Sequence, residues 1–370
     1  MAYFWKRVEK RIKRLAFHPL SLLFCDGDSS RIAPARHEVK RILLLRPETK
    51  IGDMVISLPT VKHLRRTWPE AELYMICSKR NASVIEKESC LDGVFQYSKN
   101  IVRDFFQVRK IRRLKCDVII DLLYHDSLTT LTLSQWSAPG AYRIGGGKKR
   151  FARYYDWAGP WSHDHIVDCT LSLLEPLGIN ISDANRQVPI SIDDSCRQRA
   201  SEALRELRRT CSVAIGLNVS AGTPTRTWGD DNIESLVTKI LAADATVGIV
   251  LLGTPSDRER FKFLANRHRD RVVVPANGNS IQDASAVIGE IDFVVSPDTA
   301  VVHIARSLGK PVVGLYTGNV SNGLKFQPWG DGNIVVTAKH DGNIHDIAVE
   351  EVLRAVMDMR QRFKAEKART

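Results

Sequence analysis

The sequence predicts an α/β protein built from two Rossmann-like, doubly wound domains. Three observations lead there. Short apolar runs alternate with amphipathic helical stretches, the pattern of parallel strands covered on both faces by crossover helices. The chain has 370 residues, the length of two ordinary domains. The stretch Ile291–Gly318, IDFVVSPDTAVVHIARSLGKPVVGLYTG, reads as strand, tight turn, helix and strand in direct succession.

Residues 1–40 stand apart from this pattern. At 100° per residue, Phe4, Trp5, Val8, Ile12, Leu15 and Ala16 fall within an arc of about 120°. Lys6, Arg7, Lys10, Arg11, Lys13 and Arg14 fall outside it. That is a basic amphipathic helix, suited to a membrane interface or to packing on the protein's own surface. A polar linker, 24–38, follows.

The first domain is expected over 41–185, with strands at 41–45, 71–77, 93–97, 117–123 and 141–144. A helix near 100–114 carries Arg103, Arg109, Lys110, Arg112 and Arg113, by default a solvated basic face. Gly145, Gly146 and Gly147, with Lys148, Lys149 and Arg150, read as a mobile basic loop and an anion-binding candidate. His163, Asp164 and His165 have no partners at metal-ligand spacing elsewhere, so no metal is expected. The second domain is expected over 186–345. It starts with a charged helix near 194–209 and continues with strands at 213–219, 247–252 and 272–275 and the strand–turn–helix above. A final helix occupies 346–370.

Composition narrows the function. The net charge of +12 favours anionic partners: a phosphorylated substrate, a membrane surface or nucleic acid. No nucleic-acid module is recognisable. The seven cysteines form no C-x-x-C pair, which argues against zinc and a disulfide framework and suits a reducing cytoplasm. No run approaches the ~18 apolar residues of a membrane span, and no signal peptide is evident.

The chemistry concentrates in two stretches. Asp298 and Thr299 are cap residues opening a helix at a strand's carboxyl end, which makes a ready phosphate site. Ala300 follows, and His303 lies one turn on. The other stretch, Arg41–Pro69, runs from a buried strand through Lys50 to Gly52-Asp53 and into a helix with an early proline. Between them, the loop Ser220–Trp228 contains Thr225 and Arg226. A turn after the 247–252 strand holds Asp257 and Glu259, each suited to ribose hydroxyls or to starting a helix.

The GD pair after the first strand and the late D-T-x-x-x-H element, in that order, resemble glycosyltransferase family 9, the heptosyltransferases of lipopolysaccharide core assembly. The R-I-G strand end at Arg143 and the H-x-V-D helix start at His165 add to the resemblance, which covers about 41–340. Two departures bear on the donor's identity more than on the fold: Arg226 stands where the family has lysine, and Ala300 where glycine is common.

The resemblance implies two domains facing across a cleft (the GT-B arrangement), with the last helix crossing back to the first domain. It implies a nucleotide-sugar donor, ADP-heptose, and a lipid-anchored lipopolysaccharide core acceptor, with no cofactor. Asp53 is then the catalytic base of an inverting, metal-independent transfer. Ser220, Thr225, Arg226, Asp257, Asp298, Thr299, Ala300 and His303 would bind the donor, and Lys50, Arg143, Lys148, Lys149 and Arg150 the acceptor. The location implied is cytoplasmic, on the inner face of the membrane. The alternatives are a nucleotide-sugar epimerase on the same fold and a non-catalytic anion-binding protein.

Overall fold

Runs such as Ile42–Leu45 and Val213–Leu217 are apolar on both faces of the strand, so each face must be covered. The computed structural model describes residues 24–161, 163–275, 280–318, 324–339 and 343–367, and within them two parallel sheets meet that need. The first contains β1 (Arg41–Arg46), β2 (Glu72–Ser78), β3 (Gly93–Tyr97), β4 (Val118–Asp121) and β5 (Tyr142–Gly145), in the order β3-β2-β1-β4-β5. Its crossovers are α1 (Ile51–Thr67), α2 (Lys79–Ile85), α3 (Ile101–Arg112) and α4 (Leu128–Ser137). Two helices, α5 (Ile166–Leu171) and α6 (Asp194–Thr210), lead into the second sheet.

That sheet contains β6 (Val213–Asn218), β7 (Val247–Leu252), β8 (Val272–Val273), β9 (Phe293–Pro297), β10 (Val312–Tyr316) and β11 (Ile334–Thr337). Its order is β11-β10-β9-β6-β7-β8, and its helices are α7 (Asp230–Ala243), α8 (Pro255–Arg267), α9 (Ile281–Glu290), α10 (Ala300–Ser307) and α11 (Val349–Lys367). The two doubly wound units predicted from the alternation are present. β11 escaped the sequence reading because it is a short, half-exposed edge strand.

One apolar cluster runs through both units. It joins Ile42 and Leu44 of β1, Met54 and Leu58 of α1, Val302 and Ile304 of α10, and Trp329. The far face of each sheet has its own separate cluster. The domains are therefore joined by core packing between α1 and α10 as well as by the chain.

The final helix departs from expectation. Val352, Ala355, Val356 and Met359 of α11 are buried with Val313 and Leu315 of β10. Ion pairs of Lys239 with Glu350 at 2.6 Å and Arg360 with Asp244 at 3.3 Å hold the same helix to its own domain. Its apolar stripe matches the second sheet, so it packs there instead of crossing back. The amphipathic stretch over residues 4–16 lies outside the described residues.

The glycine-rich segment is also a correction. A side chain on Gly145 would meet Tyr155 at 2.8 Å, and one on Gly146 would meet Trp161 at 2.7 Å, so this is a packed turn, not a mobile loop. Lys148, expected on its surface, is fully buried. Its Nζ lies 2.8 Å from Asp121 Oδ2 and donates to Leu123 O at 2.7 Å and His125 O at 3.0 Å. Tyr155 donates to the same carboxylate at 2.7 Å, and Leu123 N–H donates to its other oxygen at 3.0 Å. Every charge is answered, so the pair fixes the exits of β4 and β5. Replacing Lys148 with Met leaves Asp121 buried and unpaired. Urea unfolding should show a loss of about 3–5 kcal/mol; a loss below ~1 kcal/mol would mean that the pair is dispensable.

Candidate active site

Ligands of open parallel sheets settle outside the carboxyl ends of the strands, where the strand order reverses. That point lies between β1 and β4 in the first sheet and between β6 and β9 in the second. The chain places its chemistry at both.

At the first point, Arg46 ends β1 with its side chain buried, and its guanidinium donates to Leu122 O beyond β4. Arg46 Nη2 lies 3.1 Å from Glu48 Oε1 and 3.1 Å from Asp53 Oδ2. Lys50 Nζ stands 3.6 Å from that Asp53 oxygen and donates to Tyr124 Oη at 3.3 Å. Burial alone would raise the Asp53 carboxyl. Arg46, then Lys50, and a hydrogen bond from Glu48 hold it below the usual carboxylate range instead. Burial raises Glu48 despite Arg46, and the neighbouring Asp53 raises it further. The two adjoining carboxyls are thus pushed in opposite directions, Glu48 up and Asp53 down.

At the second point, Asn218 ends β6. Its Nδ2 donates to Ser296 Oγ and to Thr299 Oγ1, each at 3.0 Å. Thr299 caps α10, accepting from Val301 N–H at 3.3 Å. Arg226 reaches over the turn. Its Nη1 donates to Asp298 O at 3.0 Å, and its Nη2 lies 3.1 Å from Asp298 Oδ2. Burial raises the Asp298 carboxyl above its ordinary value against the pull of Arg226, and the charge on Asp53 adds to the rise. The two carboxylates thus sense one another across the domains.

Contact between α1 and α10 brings the points together. A methyl group on Gly52 would lie 2.7 Å from His303 Cδ2 and 3.3 Å from Ala300 Cα. Glycine at 52 therefore admits the second domain to the first turn of α1. His303 is buried, its ring parallel to Trp329 at 5.8 Å and 7°. Burial lowers its pKa to about 4, so the ring is neutral at pH 7. Beside Lys50, an aromatic wall spans the domains: Tyr124 stacks on Trp161 at 5.8 Å, and Phe326 lies 5.8 Å from Tyr124.

The other candidates fall in different places. Arg143 is buried and donates to Pro139 O at 2.6 Å, at the entry end of β5 and away from the strand exits, so it is not in the cleft. Lys148 is spent on Asp121. Lys149 and Arg150 remain exposed, and their backbone N–H groups donate to Asp126 at 3.1 and 3.0 Å. Asp257 accepts from Ser220 Oγ and from Thr254 N–H at 2.9 Å, as the capping-box partner of α8; the helix-start reading fits it better than the ribose reading. Thr225 is exposed, 3.2 Å from Thr223 through their hydroxyls. Both ring nitrogens of His165 are engaged: Nδ1 accepts from Val167 N–H at 3.1 Å and Nε2–H donates to Gln327 O at 2.9 Å.

Glu48, Arg46, Asn218, Tyr124 and Trp161 escaped the sequence reading. Glu48 carried one signal, a carboxylate five positions before Asp53 on the same strand exit. The tightness of Gly52 is directly testable. Gly52→Ala gains about 1 kcal/mol of helix propensity but overpacks the junction by about 1–3 kcal/mol. Denaturant melts should show net destabilisation, with a fall in turnover. A more stable, fully active variant would contradict the contact.

The comparisons agree with this fold. The family model described as glycosyltransferase family 9 (heptosyltransferase) matches residues 108–356, more than half of the chain. The lipopolysaccharide core heptosyltransferase OpsX of Haemophilus influenzae is 21% identical over 315 residues, covering 82% of this chain and 86% of the relative. The crystal structure of a family 9 glycosyl transferase from Veillonella parvula superposes with a TM-score of 0.71 at 19% identity, over 86% of this chain and 97% of the other. The Escherichia coli heptosyltransferase WaaC, solved with ADP-2-deoxy-2-fluoro heptose, gives 0.66 at 18% identity, over 86% and 99%. The chain belongs to glycosyltransferase family 9, the heptosyltransferase family, and is a glycosyltransferase.

Proposed function

We propose that this enzyme transfers heptose from ADP-heptose to a hydroxyl of a lipopolysaccharide core acceptor, with inversion at the anomeric carbon. The observation that carries the reading is an ionised carboxylate, Asp53, set against a capped helix start and an arginine across the interdomain contact. Support for the donor and acceptor comes from the relatives, which include an ADP-heptose-analogue complex and a lipopolysaccharide core enzyme.

The acceptor hydroxyl gives its proton to Asp53 as its oxygen bonds to the anomeric carbon. The bond from that carbon to the β-phosphate oxygen breaks, and its electron pair leaves with ADP. Attack and departure lie on opposite faces, so one step inverts the centre. Arg226 and the free N–H groups of the first turn of α10, at Thr299 and Ala300, take up the charge of the diphosphate. Asp298 aims Arg226 and receives donor hydroxyls. Ser220 and Thr225 line the approach to that turn, and neutral His303 seals it from below. No step in this scheme calls for a metal or cofactor.

Against burial, Arg46 and Lys50 hold the Asp53 carboxyl in the charged form that a proton acceptor needs. Lys50 and the Tyr124–Trp161–Phe326 wall meet the acceptor, and Lys149 and Arg150 meet its anionic groups. Because the acceptor is lipid-anchored, the enzyme works in the cytoplasm at the inner face of the membrane.

Asp53→Asn should keep ADP affinity and lose turnover by roughly 10²–10⁴-fold. Turnover near that of the parent enzyme would reduce Asp53 to a helix-start residue. Arg226→Ala should weaken ADP binding in calorimetry and flatten its dependence on salt. Unchanged affinity and salt dependence would remove Arg226 from the donor site.

A further inference from the structure

The first domain has a second chemically distinctive surface, on the sheet face opposite the cleft contact. α3 and α4 together cover the β1–β2–β4 face that holds Leu43, Leu45, Ile76 and Ile119, with Ile111 of α3 and Leu133 of α4 buried against it. α1 covers the other face. The outward side of α3 is apolar where solvent should select polar residues. Ile101 is 88% exposed, Val102 66%, Phe105 51% and Phe106 65%. Isolated exposed apolar residues are ordinary, but these four share six consecutive positions.

Helix geometry puts them on one side. At 100° per residue, positions 101, 102, 105 and 106 span about 140° of arc, and positions 109, 112 and 113 fall within that arc one to two turns later. The first half of the outward face is therefore aliphatic and aromatic. The second half is Arg109, Arg112 and Arg113, with exposed Arg103 and Lys110 beside it. Among the described residues, none of these five cations is ion-paired to a carboxylate. Arg109 lies 5.8 Å from the centre of the Phe105 ring, which leaves its charge exposed.

The first turn is rigid. Asn100 caps it through Arg103 N–H at 3.1 Å, and Asp104 accepts from Ser98 N–H at 2.9 Å and Ser98 Oγ at 2.8 Å. It begins after the carboxyl end of β3, so it lies along the same sheet edge as the exits of β1, β4 and β5 that build the site.

We propose that the outward face of α3 is a docking surface for an anionic phospholipid bilayer. The apolar first half inserts at the headgroup boundary, and the arginines sit over the phosphates. An apolar tip within a collar of unpaired cations complements an anionic interface. A neutral protein partner would leave those charges unanswered, and a nucleic acid would leave the phenyl and aliphatic groups in water. No described helix is long and apolar enough to cross a membrane, so the contact is a surface one. The proposal deepens the membrane location given above and rests on it. Vesicle binding reads it without the transfer reaction, so its failure leaves the donor and base assignments standing.

The test is flotation of the full chain with vesicles of phosphatidylcholine alone or with 30 mol% (about one third) phosphatidylglycerol. The parent chain should float with the anionic vesicles only, and less at high salt. Phe105→Ser with Phe106→Ser should weaken this roughly ten-fold or more. Arg109→Gln, Arg112→Gln and Arg113→Gln together should weaken it by about a hundred-fold. Both variants should keep the parent melting temperature and turnover on a water-soluble acceptor fragment.

Three results would overturn the proposal. Undiminished flotation of both variants would place membrane binding elsewhere in the chain. Absence of flotation by the parent, with a lower melting temperature of the Phe variant, would show that the chain itself covers the face. A change of sedimentation coefficient in the Phe variant, again without parent flotation, would assign the face to a second copy.

Discussion

The active arrangement depends on how closely α1 and α10 approach. Asp53 belongs to the first turn of one helix, and the phosphate-ready turn at Thr299 opens the other. Only the missing side chain at Gly52 lets His303 and Ala300 come near enough for the two to share a site. The apolar cluster that continues through both domains keeps that approach in place. The glycine and the aspartate of the GD pair thus serve separate ends: one admits the opposite domain, and the other faces it.

Charge is distributed around this contact with a definite logic. Arg46 is buried, and its guanidinium lies 3.1 Å from a carboxyl oxygen of Glu48 and 3.1 Å from one of Asp53, where its charge favours their ionised forms. Burial pushes both carboxyls up; Arg46 and Lys50 outweigh it at Asp53, whereas at Glu48 burial and the neighbouring Asp53 outweigh Arg46. On the donor side, Asp298 directs Arg226 toward the start of α10. In the proposed transfer the departing diphosphate meets an arginine and a helix start, and Asp53, the proposed base, stays clear of it on the other domain.

Much of this was legible in the sequence, and the limits have physical causes. Apolar runs and caps are local, so the strands, the helix at Thr299 and the helix carrying Asp53 could be read directly. The Gly52–His303 contact joins residues about 250 positions apart, and no local pattern reveals it. Lys148 misled because a basic residue beside glycines is taken as solvated, and Arg143 because the resemblance alone placed it with the acceptor. Here each finds buried acceptors, Asp121 for one and Pro139 O for the other. Glu48 and Tyr124 gain meaning only when the exits of β1 and β4 stand side by side. α3 was read by its arginines, whereas its apolar residues became informative once their exposure was known.

The central claim is that the two domains together activate an acceptor hydroxyl and expel ADP from an ADP-sugar. The most direct measurement is ADP release from ADP-heptose by the purified enzyme, with and without a delipidated lipopolysaccharide core acceptor, alongside UDP and GDP sugars. The account expects rapid ADP release that requires the acceptor, with little or no UDP or GDP release. Release independent of the acceptor, or faster release from a UDP or GDP sugar, would contradict it.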